Sequence, residues 1–88
     1  MVNLRRSEFD IINEMLNMAN NGVKRTELIY KGNLSYQQLQ KYLSFLLEKD
    51  ILQEKRIKNG NGFNKVYFTT EKGKDLLITI KKMFTYME

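Results

Sequence analysis

The spacing of apolar side chains divides this chain into helical stretches and one extended stretch. Phe9, Ile12, Leu16 and Ala19 recur every three or four residues, and Ile11, Met15 and Met18 widen the stripe. That period predicts a first helix over residues 7–19, with the methionines as core filler. Ser7 suits an N-cap, and Asp10 three residues later gives the outline of a capping box. Asn20-Asn21-Gly22 ends the helix, because Asn and Gly accept the left-handed backbone of a helix C-cap. Val23 is read as a short extended segment, and residues 25–30 as a second helix with Leu28 and Ile29 inward. Lys31-Gly32-Asn33-Leu34 forms a turn, with Leu34 filling the space between helices.

A third helix opens at Ser35, whose hydroxyl can cap it, and Gln38 completes a capping box. It runs over 35–49, with Leu39, Leu43, Leu46 and Leu47 buried and Tyr42 and Phe45 flanking them. Its opposite stripe is Gln37, Gln40, Lys41, Ser44 and Glu48. Asp50 closes it. Residues 51–58 and 65–69 read as two strands joined by a loop at Asn59-Gly60-Asn61-Gly62. Leu52, Ile57, Val66 and Phe68 are their expected inward or semi-buried positions, although the alternation is imperfect. Thr70 caps a last helix over 71–86, where Leu76, Ile80, Met83 and Met87 step by four, three and four, beside Leu77 and Phe84. Two helices across a tight turn, then a hairpin, make a winged helix-turn-helix. The fold class is α+β, mostly α, with residues 1–88 as a single domain.

Composition narrows the chemistry. The 88 residues contain no cysteine and no histidine. That removes thiolate nucleophiles, disulfides, the usual zinc and copper ligands and the commonest general base. No pair of carboxylates shares an apolar setting, and no Gly-rich phosphate loop with its Lys-Ser/Thr ending occurs. We therefore expect no enzyme, no cofactor, no metal and no small-molecule ligand. No apolar run approaches the roughly 20 residues that cross a bilayer, and no secretory signal is visible after Met1. The expectation is a cytoplasmic, nucleoid-associated protein without a membrane partner.

Net charge is +5, and it is unevenly placed. Residues 24–65 hold nine basic and four acidic side chains, whereas residues 1–23 hold two basic and three acidic ones. A basic excess confined to the helix-turn-helix and hairpin is the footprint of nucleic-acid binding; a Lys-rich solvated surface gives the same count.

Four segments carry a family resemblance: Gly22 to Thr26, Tyr30 to Tyr36, Lys41 to Leu47 and Tyr67 to Gly73. They resemble the small archaeal winged helix-turn-helix proteins, over nearly the whole chain from about Arg6 to Tyr86. Asp50 stands where that family usually has Gly. The resemblance implies duplex DNA binding, as a regulator or a chromatin protein, and dimerisation through a C-terminal helix.

In a helix-turn-helix the second helix enters the major groove and its N-terminal residues meet base edges. Ser35, Tyr36, Gln37, Gln38, Gln40, Lys41 and Ser44 are therefore the expected reading residues, with Tyr36 shared between core packing and phosphate contact. Gln pairs with the N6/N7 edge of adenine, and Lys reaches guanine O6/N7. Lys24, Arg25 and Thr26, at the start of the second helix, suit a phosphate. Arg56, Lys58, Asn59, Asn61 and Lys65 form the wing contact. Arg5 and Arg6 form either a basic arm or a frayed end. Leu76, Ile80, Met83, Phe84 and Met87, within the segment 71–88, are the expected homodimer face, or else they cover the domain's own core. The competing functions are an architectural chromatin protein and a winged-helix protein-interaction module. RNA binding ranks behind both, because no aromatic platform for single-stranded bases is evident.

Overall fold

The computed structural model describes residues 6–87, with side chains from Glu8 onward. In chain order it contains α1 (Arg6–Met18), a 3-10 turn (Ala19–Asn21), β1 (Val23–Lys24), α2 (Arg25–Gly32), α3 (Tyr36–Glu48), β2 (Leu52–Asn59), β3 (Gly62–Thr69) and α4 (Glu71–Met87). Because α1 begins at Arg6, Ser7 lies inside its first turn and is not its N-cap. Arg6 opens the helix, while Arg5 lies outside the described residues.

Backbone chemistry places the turns. Gly22 closes the 3-10 turn at φ 96°. Asn33 takes φ 52° at the end of α2, the left-handed conformation its side chain tolerates. Asp50 takes φ 60° after α3, filling with an aspartate the position that favours glycine. The hairpin is tighter and longer than the sequence pattern suggests. Asn59 pairs with Gly62, so the loop is only Gly60 and Asn61, and Gly60 supplies φ 63°. Residues 62–64, expected in the loop, belong to β3.

The sheet order is β1-β3-β2, antiparallel throughout. Beneath it lies one apolar cluster. Met15, Leu16 and Ala19 of α1 join Leu28 of α2, Leu39, Tyr42, Leu43 and Leu46 of α3, and Leu52 and Tyr67 of the hairpin. Leu76 and Leu77 of α4 pack against its edge. Burying one such side chain stabilises the fold by about 1.5–3 kcal/mol relative to exposure.

Leu52, Val66 and Phe68 are buried or half-buried as expected, but Ile57 is not, and Tyr67 is buried in addition. Ile57 is 44% exposed and Tyr67 only 2%. The register explains this. Leu52 faces Thr69 and Glu54 faces Tyr67, so these four share the face turned to the helices. Val66 and Phe68 lie on the opposite face, where Gly22 abuts both. Ile57 lies on that second face too, beyond the reach of β1, which pairs only with Val66 and Tyr67.

Three polar side chains make contacts that fix these elements. The Thr69 hydroxyl, buried, donates to the Leu16 carbonyl of α1 at 2.6 Å. The Tyr67 hydroxyl donates to Glu54 Oε1 at 3.1 Å. Thr70 Oγ1 accepts from the Gly73 amide at 3.0 Å, capping α4, and donates to the Asp50 carbonyl at 2.7 Å. Gly73 itself is buried against the Ile51 carbonyl and the Thr69 methyl group, where a Cβ would collide.

Gly73→Ala forces α4 away from Ile51 and the end of β3 and should lower stability by about 1–3 kcal/mol, read as a reduced urea midpoint; an unchanged midpoint contradicts the packing described. Tyr67 has its pKa raised above the ordinary 10.0, first by burial and then by its bond to Glu54. A phenol whose folded-state pKa lies above its unfolded one supports folding fully below that unfolded value. The support is lost as pH rises through the folded pKa. Stability should therefore fall with rising pH above about 10. Tyr67→Phe should show a flatter decline there, and parallel curves for the two proteins would contradict the assignment.

Candidate nucleic-acid interface

An α-helix turns about 100° per residue, so α3 has a definite inside and outside. Leu39, Leu43 and Leu46 bury one side. Gln37, Lys41 and Ser44 project from the opposite side and are exposed. Gln40 lies on one flank of that outer stripe, beside Tyr36 one turn earlier.

The N-terminus of α3 is held by a reciprocal pair. Ser35 Oγ accepts from the Gln38 amide at 3.1 Å, and Gln38 Oε1 accepts from the Ser35 amide at 3.0 Å. The capping box expected from the sequence is present. It engages both side chains, so Ser35 and Gln38 shape the start of α3, with the Gln38 amide oxygen turned to the Ser35 backbone.

Tyr36 departs from its expected packing role. Its ring is 62% exposed and lies beneath the Arg25 guanidinium, 6.0 Å from centre to centre, instead of against the core. Phe45 is also exposed. These two aromatics are nine residues apart on α3, on opposite edges of the helix, so they form no cluster.

Arg25 was expected to meet a phosphate. The structure turns it inward across the helix-turn-helix, half-buried, with Nη2 donating to Gln40 Oε1 at 2.9 Å. Its Nε is buried without a hydrogen-bond partner among the described residues. Lys24 and Thr26 remain exposed at the start of α2. There the Lys24 amide donates to Glu27 Oε1 at 3.1 Å, so a carboxylate already sits at that helix end. A phosphate would be met there by the Lys24 side chain, not by free amides.

The hairpin carries its charge on the face continuous with the core. Arg56 pairs with Lys65 and Lys58 with Phe63, in phase with Leu52–Thr69 and Glu54–Tyr67. Arg56, Lys58 and Lys65 are therefore on one side of the wing, with Asn59 and Asn61 at the tip, all exposed. Phe63 joins them, 61% exposed, with the Arg56 guanidinium 5.4 Å from its ring centre. Phe63 is not marked by the sequence pattern, because residue 63 reads as part of the loop. Alternation counted back from Thr69 and Tyr67 would have found it. Among the described residues, no group of three or more acidic side chains converges on a metal-sized site.

The C-terminal helix only partly matches the expected dimer face. Ile80 is 3% exposed and Leu76 packs on the core, so the single chain already covers both. Met83 and Phe84 are half-buried and Met87 is exposed. The exposed apolar side chains of α4 are Ile78, Tyr86 and Met87. A groove of about 530 Å³ runs between α1 and α4, with Asn13, Asn17 and Asn20 facing Lys81 and Phe84.

No helix among the described residues is long and apolar enough to cross a membrane. The solved structures that share this fold include a PadR family transcriptional regulator from Eggerthella lenta. It has a TM-score of 0.80 and 15% identity, with 96% of this chain and 80% of that one covered. A PadR-like transcription factor from Bacteroides fragilis matches with a TM-score of 0.77 and 19% identity, covering 94% and 86%. An uncharacterized protein of the archaeon Methanocaldococcus jannaschii is 27% identical over 84 residues, which is 94% of this chain and 78% of that protein. A winged helix-turn-helix family model matches residues 5–88. Since that match takes in nearly every residue, the chain belongs to the winged helix-turn-helix family.

Proposed function

We propose that this protein is a duplex DNA-binding transcriptional regulator that lays α3 in the major groove and follows the backbone with the β2–β3 hairpin. The observations that carry this reading are an exposed polar stripe on α3 and a cationic face on the hairpin. The outer side of α3, with Gln37, Lys41 and Ser44, is polar and free of acidic groups until Glu48. The wing face adds Arg56, Lys58 and Lys65. Phosphates attract the wing and hold the register, while the α3 side chains meet base edges. The family and the regulators of like fold support the same reading. It needs no cofactor, and it places the protein in the cytoplasm with the nucleoid.

The active species in this reading is a homodimer. Ile78, Tyr86 and Met87 leave apolar surface on α4, and the α1–α4 groove beside them offers a seat for a second copy of that helix. A two-fold pair would set two α3 helices about 34 Å apart, one in each of two successive major grooves. Sedimentation at micromolar concentration should give twice 10.5 kDa; a species of 10.5 kDa contradicts the dimer.

Fluorescence anisotropy with a random duplex and with the DNA upstream of the protein's own gene tests the DNA reading. Affinity should fall with salt, with a logarithmic slope of about −0.9 for each phosphate contacted. The double variant Gln37→Ala, Lys41→Ala should fold as the parent and lose about ten-fold or more in affinity for a specific site. Equal binding by that variant contradicts the placement of α3. A preference of about 10³ or more for the upstream duplex identifies a specific regulator, and equal affinity for both duplexes identifies an architectural protein. No binding at low salt overturns the DNA reading in favour of a protein-interaction module.

A further inference from the structure

We propose that Phe63 is an apolar wedge, which the hairpin presses into the minor groove next to the major groove that holds α3, and that the duplex bends as a result. This inference rests on the DNA-binding reading above and adds to it a deformation of the DNA.

Phe63 is a large apolar side chain that the fold leaves 61% exposed. Its place in the hairpin explains this. β1 covers the outer edge of β3 only as far as Val66. Phe63 lies three residues further out, about 10 Å at strand spacing, and one pair short of the end of the ladder at Asn59–Gly62. It belongs neither to the buried cluster nor to the side chains packed against it.

Its neighbours on that face are cations. Lys58 stands opposite Phe63 across the ladder, and Lys65 follows two residues along β3 on the same side. Arg56 is diagonal to it, with the guanidinium 5.4 Å from the ring centre. No Asp or Glu occurs between Glu54 and Glu71. The outer half of this face is thus an aromatic ring among three positive charges.

That combination specifies its partner. The cations call for phosphates, and the ring calls for apolar surface lying between them. A wing that only followed one phosphate row would leave Phe63 in water. The minor groove offers both surfaces, with phosphates along its rims and sugars and base edges between them. Width then dictates the deformation. The minor groove is about 6 Å across, and two paired strands are already about 4.8 Å apart before their side chains are added. The ribbon therefore stays at the mouth of the groove, and the Phe63 side chain enters alone. Apolar wedges pressed between base steps unstack them and kink the duplex toward the major groove by about 20–90°.

Energy transfer between dyes on the two ends of a short duplex, saturated with the full chain, tests the proposal. The parent should bend the duplex by about 20° or more. Phe63→Ala keeps every cation; it should abolish most of the bend and leave the salt dependence of binding unchanged. Phe63→Leu keeps an apolar wedge and should retain the bend. Lys58→Ala should also retain the bend, but its logarithmic salt slope should be smaller by about 0.9. These side chains are exposed, so equal thermal midpoints should confirm that each variant folds as the parent. An unbent duplex in the parent complex overturns the wedge and leaves the DNA reading intact. A bend in Phe63→Ala equal to the parent's also overturns it, by tracing the bend to the cations alone. Absence of duplex binding by the parent at low salt overturns both readings.

Discussion

The burial of Leu39, Leu43 and Leu46 on the inner side of α3 is the constraint on which the rest of the structure depends. These side chains share one cluster with Met15, Leu16 and Leu28, so α3 cannot rotate without uncovering apolar surface from three helices at once. Removing a single buried leucine from such a site costs about 2–5 kcal/mol, a large part of the stability of a domain this size. The helix is thus locked about its axis by its inside, and that lock decides what its outside presents. Gln37, Lys41 and Ser44 face outward because Leu39, Leu43 and Leu46 must face inward. The capping pair of Ser35 and Gln38 fixes where the helix begins, and with it which residues occupy its first turns.

The wing is joined to this frame by polar contacts inside an otherwise apolar base. Thr69 reaches the Leu16 carbonyl of α1, and Tyr67, buried beside it on the strand, reaches Glu54 across the hairpin. Beyond that anchored base the hairpin is two-stranded and exposed on both faces, which suits an element that must reach a partner. Cation and ring contacts run along it, with Lys55 over Phe68 and Arg56 over Phe63. These keep long side chains close to the strands while leaving their charge in solvent. Arg25 does the corresponding work between α2 and α3.

Much of this architecture is legible in the sequence. The helical periods of α1, α3 and α4, the Ser35–Gln38 capping box, the Thr70 cap and the turn at Asn33 each rest on local chemistry that the final fold leaves undisturbed. The strands were harder, for a physical reason. β3 is the middle strand, so Val66, Tyr67 and Phe68 are all at least half-buried, on alternating faces. Three successive covered residues erase the period of two that marks a one-sided strand. That is why spacing does not single out Tyr67; Ile57, apolar but beyond the reach of β1, reads as inward from residue type alone. Of the candidate site, the outer stripe of α3 and the wing cations could be read from spacing alone. The inward turn of Arg25, the exposure of Tyr36 on its underside and the burial of Ile80 could not, because each depends on elements distant in sequence. A cation next to polar residues reads as surface until its partner across the fold is known.

The proposed function requires α3 and the wing to act as one nucleic-acid surface. The most direct measurement is an NMR titration of the isotopically labelled protein with a duplex, following every backbone amide. Shifts should concentrate in residues 35–44 and 56–65, while Asn13 and Asn17 in the α1–α4 groove stay in place. Shifts gathered on α1 and α4, with the outer side of α3 unmoved, would contradict it.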